Sequence, residues 1–251
     1  MKRELFLSER TESILFPYEA SKVYEEQIVG EFENKFEAEY FSEFFRVLKE
    51  RGLILDLACG DGRHTLRLSK KVDDVIALDF SPNNLRMAKN KCRNTGNISF
   101  IRGSMFELPF RVNAFDGIWF SQAFEYVPPD RRESILASIK RALKPKGILY
   151  TSVETWMYPS FWRSVKELWG DFKLYFYWKF IKRKPLLWGE FLYYLSSVNV
   201  RDRCSGWHYH VHTDKWTLKR LLHRFKFELL QMHLHDGYIY TLCKATTQGP
   251  A

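Results

Sequence analysis

Short apolar runs alternate with amphipathic segments through the middle of the chain. The apolar runs predict buried strands at residues 53–57, 75–78, 98–101, 117–120 and 148–152. Between them, apolar positions at three- and four-residue spacing predict helices at residues 63–71, 82–93 and 130–143. Ser81 followed by Pro82 is a favourable helix start. Strands that alternate with helices are typical of an α/β fold with a parallel sheet covered on both faces.

The two ends of the chain have different patterns. Residues 21–49 have apolar positions at helical spacing and predict an amphipathic helix. Residues 213–225 predict a second helix with Thr213 or Asp214 as its cap, and residues 228–234 and 238–244 predict two strands. Asp-Gly in the short connection between these strands is a strong hairpin signal. An antiparallel pair is therefore expected to close an otherwise parallel sheet.

Residues 155–205 are rich in aromatic side chains and hold five of the eight tryptophans. Helical spacing is present in residues 161–180 and 188–195, with a break at Pro185, and no sheet strand is evident. We interpret this segment as a helical insertion, where substrate contacts tend to lie. The predicted organisation is an N-terminal helical cap (1–50), an α/β core (51–154), the helical insertion (155–205) and a C-terminal completion of the core (206–251).

Composition adds a few exclusions. The chain has 251 residues, of which 45% are hydrophobic and 27% charged, as in an ordinary globular protein. We find no apolar run long enough to span a bilayer, and the first residues lack the apolar stretch of a signal peptide. The four cysteines are far apart, so neither a zinc cluster nor a disulfide scaffold is expected. These features predict a cytoplasmic, reduced protein.

The net charge is +9 and the isoelectric point about 9.3. Such a charge suits a partner that carries phosphates, such as RNA, or an anionic membrane surface. A solvated basic surface explains the same charge and is the simpler interpretation.

The stretch LDLACGDGRHT, at residues 55–65, joins a predicted strand to a predicted helix through a glycine turn. Gly60 and Gly62 let the backbone approach a ligand, and the helix start supplies N–H groups. Thr65 occupies the third position of the dinucleotide fingerprint G-x-G-x-x-G, so that fingerprint is incomplete. Asp56, at the end of the strand, would repel a pyrophosphate and suits a ligand with a cationic group.

A second acid, Asp79, ends the next predicted strand. A carboxylate at that place accepts hydrogen bonds from ribose hydroxyls. The two acids together predict a nucleoside with a free ribose, a positive charge and no phosphate. S-adenosylmethionine has these features. The alternative is a structural turn with incidental acids.

Four motifs between about residues 54 and 152 resemble, in order, those of class I S-adenosylmethionine-dependent methyltransferases, in particular their broad small-molecule branch. They are ILDLACGDGRH, ALDFS, IRGSMFELPF and FDGIWFSQAFEYV, followed by RALKPKGILY. Ala58 replaces the first glycine of the usual first motif, and Ser104 replaces the aspartate that usually binds the adenine amino group. The resemblance implies a Rossmann-like, seven-stranded, mostly parallel sheet with the last strand antiparallel, plus the aromatic-rich insertion before the final helix and hairpin.

The resemblance also implies S-adenosylmethionine as cofactor, with S-adenosylhomocysteine as product, and the residues that contact it. Asp56 would orient the glycine loop and the methionine amine, and Asp79 would hold the ribose. Arg63 and His64 are as compatible with an exposed helix start as with a ligand contact. The predicted cofactor-binding residues are Asp56, Gly60, Asp61, Gly62, Asp79, Phe80, Ser104, Met105, Ser121 and Gln122.

Methyl transfer from a sulfonium needs alignment and exclusion of water, and a general base only where the acceptor must lose a proton. Candidate catalytic residues are Glu125, Tyr126 and His210. In WHYHVH, His210 alternates with His208 and His212, so on a strand all three share a face and could bind a metal. Because no carboxylate clearly pairs with them, structural roles are favoured, acceptor contact comes next, and no metal is predicted.

The aromatic residues of the insertion could line a pocket for a flat or apolar acceptor. They could also rest on a membrane surface through FKLYFYWKFIKRK, stack nucleobases, or form the insertion's own core. The predicted substrate-binding residues are Trp156, Tyr158, Trp162, His208 and His210.

The sequence therefore predicts a methyltransferase that acts on an oxygen or nitrogen atom of a small, apolar or aromatic acceptor. An RNA methyltransferase, such as one acting on transfer RNA, and a non-catalytic S-adenosylmethionine-binding module are the alternatives. The acceptor's identity and the oligomeric state leave no signature in the sequence.

Overall fold

A seven-stranded sheet is the centre of the computed structural model, which describes residues 35–49, 51–195 and 206–246. The strands are β1 (Leu53–Leu57), β2 (Asp74–Asp79), β3 (Ile98–Arg102), β4 (Phe115–Ser121), β5 (Leu143–Glu154), β6 (Glu190–Leu195), β7 (Gly206–Val211), β8 (Phe227–His235) and β9 (Tyr238–Ala245). The order in the main sheet is β3-β2-β1-β4-β5-β9-β8, and β6 and β7 form a separate ladder.

Helices flank the sheet close to the predicted positions where these are described, and residues 21–34 of the first predicted helix lie outside the described residues. They are α1 (Lys35–Val47), α2 (Arg63–Ser69), α3 (Pro82–Lys91), α4 (Arg132–Ala142), α5 (Phe161–Phe176), which continues as a π-helical turn (Tyr177–Ile181), and α6 (Lys215–Arg224). Ser81 caps α3 and Asp214 caps α6, each by accepting hydrogen bonds from backbone N–H groups of the first turn. Within the described residues, each helix is too short or too polar to cross a membrane.

The predicted fold class is confirmed by the strand directions. Strands β1 to β5 run parallel to one another, whereas β9 runs antiparallel to both β5 and β8. The β8–β9 turn has two left-handed residues, Asp236 (φ 43°) and Gly237 (φ 76°), as a type I′ hairpin requires. Strand order reverses between β1 and β4, and in open α/β sheets ligands bind at the carboxyl ends of the strands beside such a reversal.

The core lies on both faces of the sheet, which explains why the central strands are continuous apolar runs. On one face, Phe44 of α1 packs edge-on against Trp119, whose ring stacks on that of Tyr150 at 3.7 Å between centroids. Tyr40 of α1 packs against the same Tyr150 ring. On the other face, apolar residues of α4 and α6 cover β4, β5 and β9. Helix α1 is therefore fixed to the sheet, and it carries a polar residue, Glu37, to the sheet's carboxyl edge.

Residues 188–195 correct one prediction, because the last six of these eight residues form strand β6 and not a helix. Strand β6 pairs antiparallel with β7, with Phe191 opposite His210. Trp178 Nε1 donates to the carbonyl oxygen of Leu192 (2.7 Å), which ties this ladder to the turn after α5. Aromatic residues favour strands, and the partner strand lies beyond residue 205, so local spacing did not contain the deciding contact.

Candidate functional site

Four parallel strands end in polar residues at one edge of the sheet. Asp79 ends β2, Asp56 lies one residue before the end of β1, Ser121 ends β4 and Glu154 ends β5. Because these strands are neighbours in the order β2-β1-β4-β5, the residues lie in a row along the carboxyl edge. The first three border the glycine turn, and Glu154 belongs to a second cluster.

The turn between β1 and α2 is held in a left-handed conformation by its own backbone and by Asp79. Ala58, Gly60 and Gly62 have φ values of 58°, 55° and 81°. Asp79 Oδ2 accepts from Gly60 N (2.8 Å), and its Oδ1 accepts from Ser81 N (2.9 Å). The carboxylate that is expected to hold a ribose therefore also fixes the loop that is expected to hold the rest of the ligand.

The two glycines of the turn have different surroundings. A Cβ at Gly62 would lie 2.8 Å from the Cβ of Ala88 on α3, so close packing requires glycine there. A Cβ at Gly60 would have no protein atom within 4 Å. Gly60 therefore faces open space at the carboxyl edge, where a ligand can approach the backbone.

This difference gives a matched pair of variants. We expect Gly62→Ala to lower the free energy of unfolding by about 2 kcal/mol or more, from overpacking and left-handed strain. Gly60→Ala is expected to lower it by only about 1 kcal/mol, the strain alone, and to weaken nucleoside binding about tenfold by filling the open space. Thermal unfolding and calorimetric titration separate the two effects. Unchanged affinity in Gly60→Ala would place the ligand elsewhere.

Asp56 is a buried acid in the floor of the site. Its exposed fraction is 2%, and Thr65 Oγ1 donates to its Oδ2 at 2.6 Å. Burial is the main cause that raises the pKa of Asp56 to about 6, against the opposing charge of His64 and the Thr65 bond. The carboxylate is thus mostly ionised at neutral pH, although its burial without a cation lowers the stability of the folded state. A cationic ligand would offset this loss of stability.

Asp56→Asn tests whether the buried charge lowers the stability of the ligand-free protein. An acid with a raised folded-state pKa destabilises the fold above its unfolded pKa near 4, and the penalty is complete above about 6. At pH 7.5 we therefore expect the ligand-free variant to be more stable than the wild type, by about 1–3 kcal/mol. Affinity for a cationic nucleoside should fall in the variant, and in the wild type it should fall as pH drops from 7 to 5. Melting curves and titrations at both pH values measure this, and a less stable variant contradicts it.

The remaining predicted cofactor residues have different roles in the structure. Phe80 is 42% exposed beside Asp79, with its ring available to a ligand. Ser104 Oγ accepts from Phe106 N (3.2 Å), and Met105 packs against the core. Asp61 pairs with Lys91 and accepts from Arg63 N (3.2 Å), so it supports the helix start.

Glu37 is a site residue that the sequence did not reveal. It is 2% exposed, and its Oε1 accepts from Ser121 Oγ (2.9 Å) and lies 3.0 Å from His64 Nε2. Burial acts to raise the pKa of Glu37, but the hydrogen bond from His64 and the charge of Arg63 outweigh it and lower the pKa. Arg63 and His64, left open by the sequence, thus form a buried polar network with Glu37. Only the packing of α1 brings this acid to the edge.

A second cluster surrounds Glu154 at the end of β5. His210 Nδ1 lies 2.5 Å from Glu154 Oε2, His212 Nε2 lies 3.7 Å from the same oxygen, and Tyr238 OH donates to Oε1 (2.9 Å). Asp171 of α5 pairs with His212 Nδ1 at 2.6 Å. The sequence-based view that these histidines lack a carboxylate partner is therefore wrong. Glu154 and Asp171 supply the partners from distant parts of the chain.

The charges of this cluster follow from its contacts. Burial acts to raise the pKa of Glu154, but hydrogen bonds from His210 and His212 outweigh it and hold the pKa well below its usual range. Burial acts to lower the pKa of His212, but Asp171 and Glu154 outweigh it and raise the pKa to about 9. At neutral pH the cluster contains an ionised Glu154 and a cationic His212.

Two residues after β4 border this cluster. Glu125 is buried, and burial together with the charge of Glu154 raises the pKa of Glu125 well above its ordinary value. This direction favours the protonated form of Glu125, which can donate a hydrogen bond, and disfavours a role as a base. The Tyr126 ring packs edge-on against the ring of His210, with centroids 4.9 Å apart. Tyr126 thus lies beside His210, and Glu125 lies near enough to Glu154 to be affected by its charge.

Glu154, His210 and His212 place one possible ligand atom each within 4.8 Å of one another, a spacing that a divalent cation could bridge. The Glu154 carboxylate also forms ion pairs with both histidines, and we assign no metal to this cluster. His208 has a side chain outside the described part of the structure.

The predicted aromatic substrate residues are dispersed. Tyr158 packs against the β8–β9 turn, where its hydroxyl would lie 2.5 Å from a Cβ on Gly237, and the Arg163 guanidinium lies 3.9 Å from its ring centroid. Trp156 is half-buried just after β5. Trp162 is 78% exposed on α5. The structure thus brings His210 to Glu154 but places Trp162 on an outer surface.

Comparisons with known proteins agree with this fold. Residues 54–147 match a family model described as a methyltransferase domain. Demethylmenaquinone methyltransferase from Staphylococcus aureus (strain JH9) is 35% identical over 112 residues, which are 41% of this chain and 46% of that protein. The chain thus matches about half the length of this curated relative.

Solved structures extend the similarity over most of the chain. An S-adenosylmethionine-dependent methyltransferase from Methanosarcina mazei superposes with a TM-score of 0.65 at 21% identity, covering 81% of this chain and 96% of that one. DhpI, in complex with S-adenosylhomocysteine, superposes with a TM-score of 0.63 at 20% identity, covering 95% and 98%. At these identities the similarity is one of fold.

Proposed function

Because the chain carries the fold and the family domain of the class I S-adenosylmethionine-dependent methyltransferases, we propose that it transfers the methyl group of S-adenosylmethionine to a small-molecule acceptor. The acceptor atom we propose is an oxygen or nitrogen that loses a proton. The observation that carries the proposal is the row of polar residues at the carboxyl edge of the sheet. This row begins at Asp79 and ends in the Glu154–His210 pair.

The residues at β1, β2 and β4 fit this cofactor. The ionised Asp56 suits the ammonium group, Asp79 has acceptor capacity for a ribose diol, and Gly60 leaves open space for close approach. Phe80 offers an exposed apolar face to an adenine. When bound, the cofactor supplies an electrophilic methyl on a sulfonium, and the protein supplies alignment and exclusion of water.

The second cluster fits an acceptor that must lose a proton. A hydrogen bond from His210 Nδ1 to the ionised Glu154 fixes the tautomer in which Nε2 carries the lone pair, the form of a general base. The cationic His212 places a positive charge beside this pair, which would favour an acceptor atom that loses a proton. Burial and the charge of Glu154 raise the pKa of Glu125, which favours the protonated form that can donate a hydrogen bond to the acceptor. His210 would then take the proton as the methyl is transferred, and Glu154 would stabilise the resulting imidazolium.

A small-molecule acceptor is supported by the Staphylococcus aureus relative, whose name gives it demethylmenaquinone as substrate. The family-model match ends at residue 147, before Glu154, so it covers the cofactor half of the edge and not the acceptor half. We therefore propose the chemical class of the acceptor from the cluster and leave its identity to experiment.

The test has two parts. S-adenosylmethionine is titrated against the full chain, and micromolar binding is expected. Cofactor labelled in the methyl group is then offered with a metabolite extract, a lipid extract or RNA. Label is expected in a small molecule of one of the first two. Absence of cofactor binding, or label found in RNA alone, contradicts the proposal. Binding with no transfer to any extract would instead indicate a non-catalytic binding module.

A further inference from the structure

Helix α5 and the turn after it present a continuous apolar surface to solvent. Of the fourteen large hydrophobic side chains that are exposed in the described residues, eleven lie between residues 161 and 188. We call this surface the aromatic face, and its members are Phe161, Trp162, Val165, Trp169, Phe172, Phe176, Tyr177, Phe180, Ile181, Leu187 and Trp188.

The aromatic face follows the geometry of the helix. Phe161, Val165, Trp169, Phe172 and Phe176 recur at spacings of four and three, which places them in one stripe. In α5 the buried residue is Asp171, which is bound to His212 on the opposite side of the helix. The amphipathic pattern of this helix is therefore inverted relative to a core helix. Its apolar side faces away from the protein, and a polar contact fixes it to the acceptor cluster.

The charge around the aromatic face is strongly basic. Between residues 161 and 188 there are seven lysines and arginines and two acids. Lys173 Nζ lies 5.5 Å from the ring centroid of Trp169, and Lys182 Nζ lies 5.5 Å from that of Tyr177. Cations on flexible stems beside exposed aromatic rings are arranged as in helices that lie at a bilayer surface. There the rings enter the acyl boundary while the ammonium groups extend to lipid phosphates.

We propose that the aromatic face docks on an anionic lipid bilayer, with α5 lying in the plane of the membrane. Its apolar side would enter the boundary between headgroups and acyl chains, and the flanking cations would contact anionic phosphates. This surface goes beyond the proposed methyl transfer, because docking does not require catalysis. Through the Asp171–His212 pair it would also hold the acceptor cluster close to the membrane, where an amphipathic acceptor is concentrated.

A bilayer fits this surface better than a nucleic acid does. Neighbouring rings of the aromatic face already pack against one another. Trp169 stacks on Phe172 with ring centroids 5.5 Å apart, and Phe176 packs on Phe180 with centroids 5.0 Å apart. A nucleobase would have to separate these rings to stack between them. Val165, Ile181 and Leu187 offer no ring for stacking, but they gain from burial in an apolar phase.

The experiment is vesicle co-sedimentation of the full chain, with tryptophan fluorescence as a second readout. Vesicles of phosphatidylcholine alone are compared with vesicles that also contain phosphatidylglycerol. We expect binding to the anionic vesicles and at least about tenfold weaker binding to the neutral ones. A triple variant of exposed residues, Trp169→Ser/Phe172→Ser/Phe180→Ser, should bind at least about tenfold more weakly. Trp216→Ser removes an equally exposed tryptophan outside the aromatic face and should bind like the wild type.

A charge variant tests whether the flanking cations contribute to binding by contacting anionic phosphates. Lys173→Gln/Lys182→Gln/Arg183→Gln is expected to weaken binding to anionic vesicles roughly 100-fold, since each cation near the surface contributes about a tenfold factor or less. Lys70→Gln/Lys71→Gln, at the far end of α2, is the matched control. If the triple aromatic variant fails to fold by circular dichroism, Trp162→Ser alone is used, because its ring is 78% exposed.

Three outcomes would overturn the proposal. The wild type does not bind anionic vesicles, the aromatic variants bind as tightly as the wild type, or the face instead mediates another contact. Two measurements detect another contact. Light scattering would show self-association of the wild type that is lost in the aromatic variants. Titration with RNA would show RNA binding that is lost in the same variants. Vesicle binding is measured without cofactor or acceptor, so its failure is distinct from failure of the proposed methyl transfer.

Discussion

Asp79→Asn is expected to weaken the binding of S-adenosylmethionine at least about 100-fold. The wild-type carboxylate can accept two charge-assisted hydrogen bonds from a ribose, each worth about 1.5–3 kcal/mol, and the amide loses the charge and one acceptor. The same carboxylate accepts from Gly60 N and Ser81 N on its two oxygens, and one amide oxygen cannot replace both. The variant therefore loses both the ribose contact and the order of the glycine turn. Isothermal titration calorimetry measures the affinity.

Asp116→Asn is the matched control for this variant. Asp116 is also a buried aspartate that accepts from a backbone N–H, Leu53 N at 2.9 Å, and it pairs with Lys144 at 2.7 Å. It lies near the amino ends of β1 and β4, at the opposite edge of the sheet. We expect this variant to lose stability and to keep its affinity for the cofactor. Equal affinity in wild type and Asp79→Asn would remove the ribose role from Asp79.

The contacts that are local in sequence explain why the cofactor side of the edge was predictable. Asp56, Gly60 and Thr65 lie within one strand, turn and helix start, and the structure joins Thr65 to Asp56 directly. The five parallel strands could be located because each contains an apolar run, which is continuous and buried in central strands such as β1 and β4. The predicted and observed ends of the strands differ by five residues at the start of β5 and by at most two elsewhere. Where backbone and ligand contacts come from one β–turn–α unit, the local pattern contains enough information.

The acceptor side was less predictable because its contacts join distant parts of the chain. His210 meets Glu154 across 56 positions, and His212 meets Asp171 across 41. The strand that carries His210 depends on its pairing with β6, which local spacing had assigned to a helix. Glu37 reaches Ser121 through the packing of α1 alone. No local period encodes these pairs, so the sequence presented the histidines without their carboxylate partners.

The aromatic residues of the insertion show a different limit. Their spacing predicted the helix of α5 correctly, and helical spacing usually means that the apolar side is buried. In the structure the polar residue Asp171 is buried and Trp162 is exposed. Period alone gives the side on which apolar residues gather. On the side that meets the protein, the contacts come from distant residues, among them the ion pair between Asp171 and His212.

His210→Gln is expected to lower kcat for methyl transfer about 100-fold or more, the usual contribution of a general base, while leaving cofactor affinity within about twofold of the wild type. In the wild type, Glu154 fixes the tautomer of His210, so Glu154→Gln should lower kcat too. The assay uses the acceptor that carries label in the extract experiment.

His233→Gln is the control, because His233 also has a side-chain partner, Tyr40 OH at 2.8 Å, but lies on β8 away from the Glu154 cluster. It should keep the wild-type kcat. A wild-type kcat in His210→Gln would mean that the acceptor needs no proton removed by His210. The Glu154–His210 pair would then be a positioning contact that holds β7 against β5. A fall in kcat in all three variants would instead indicate a general loss of stability, which thermal unfolding detects separately from chemistry.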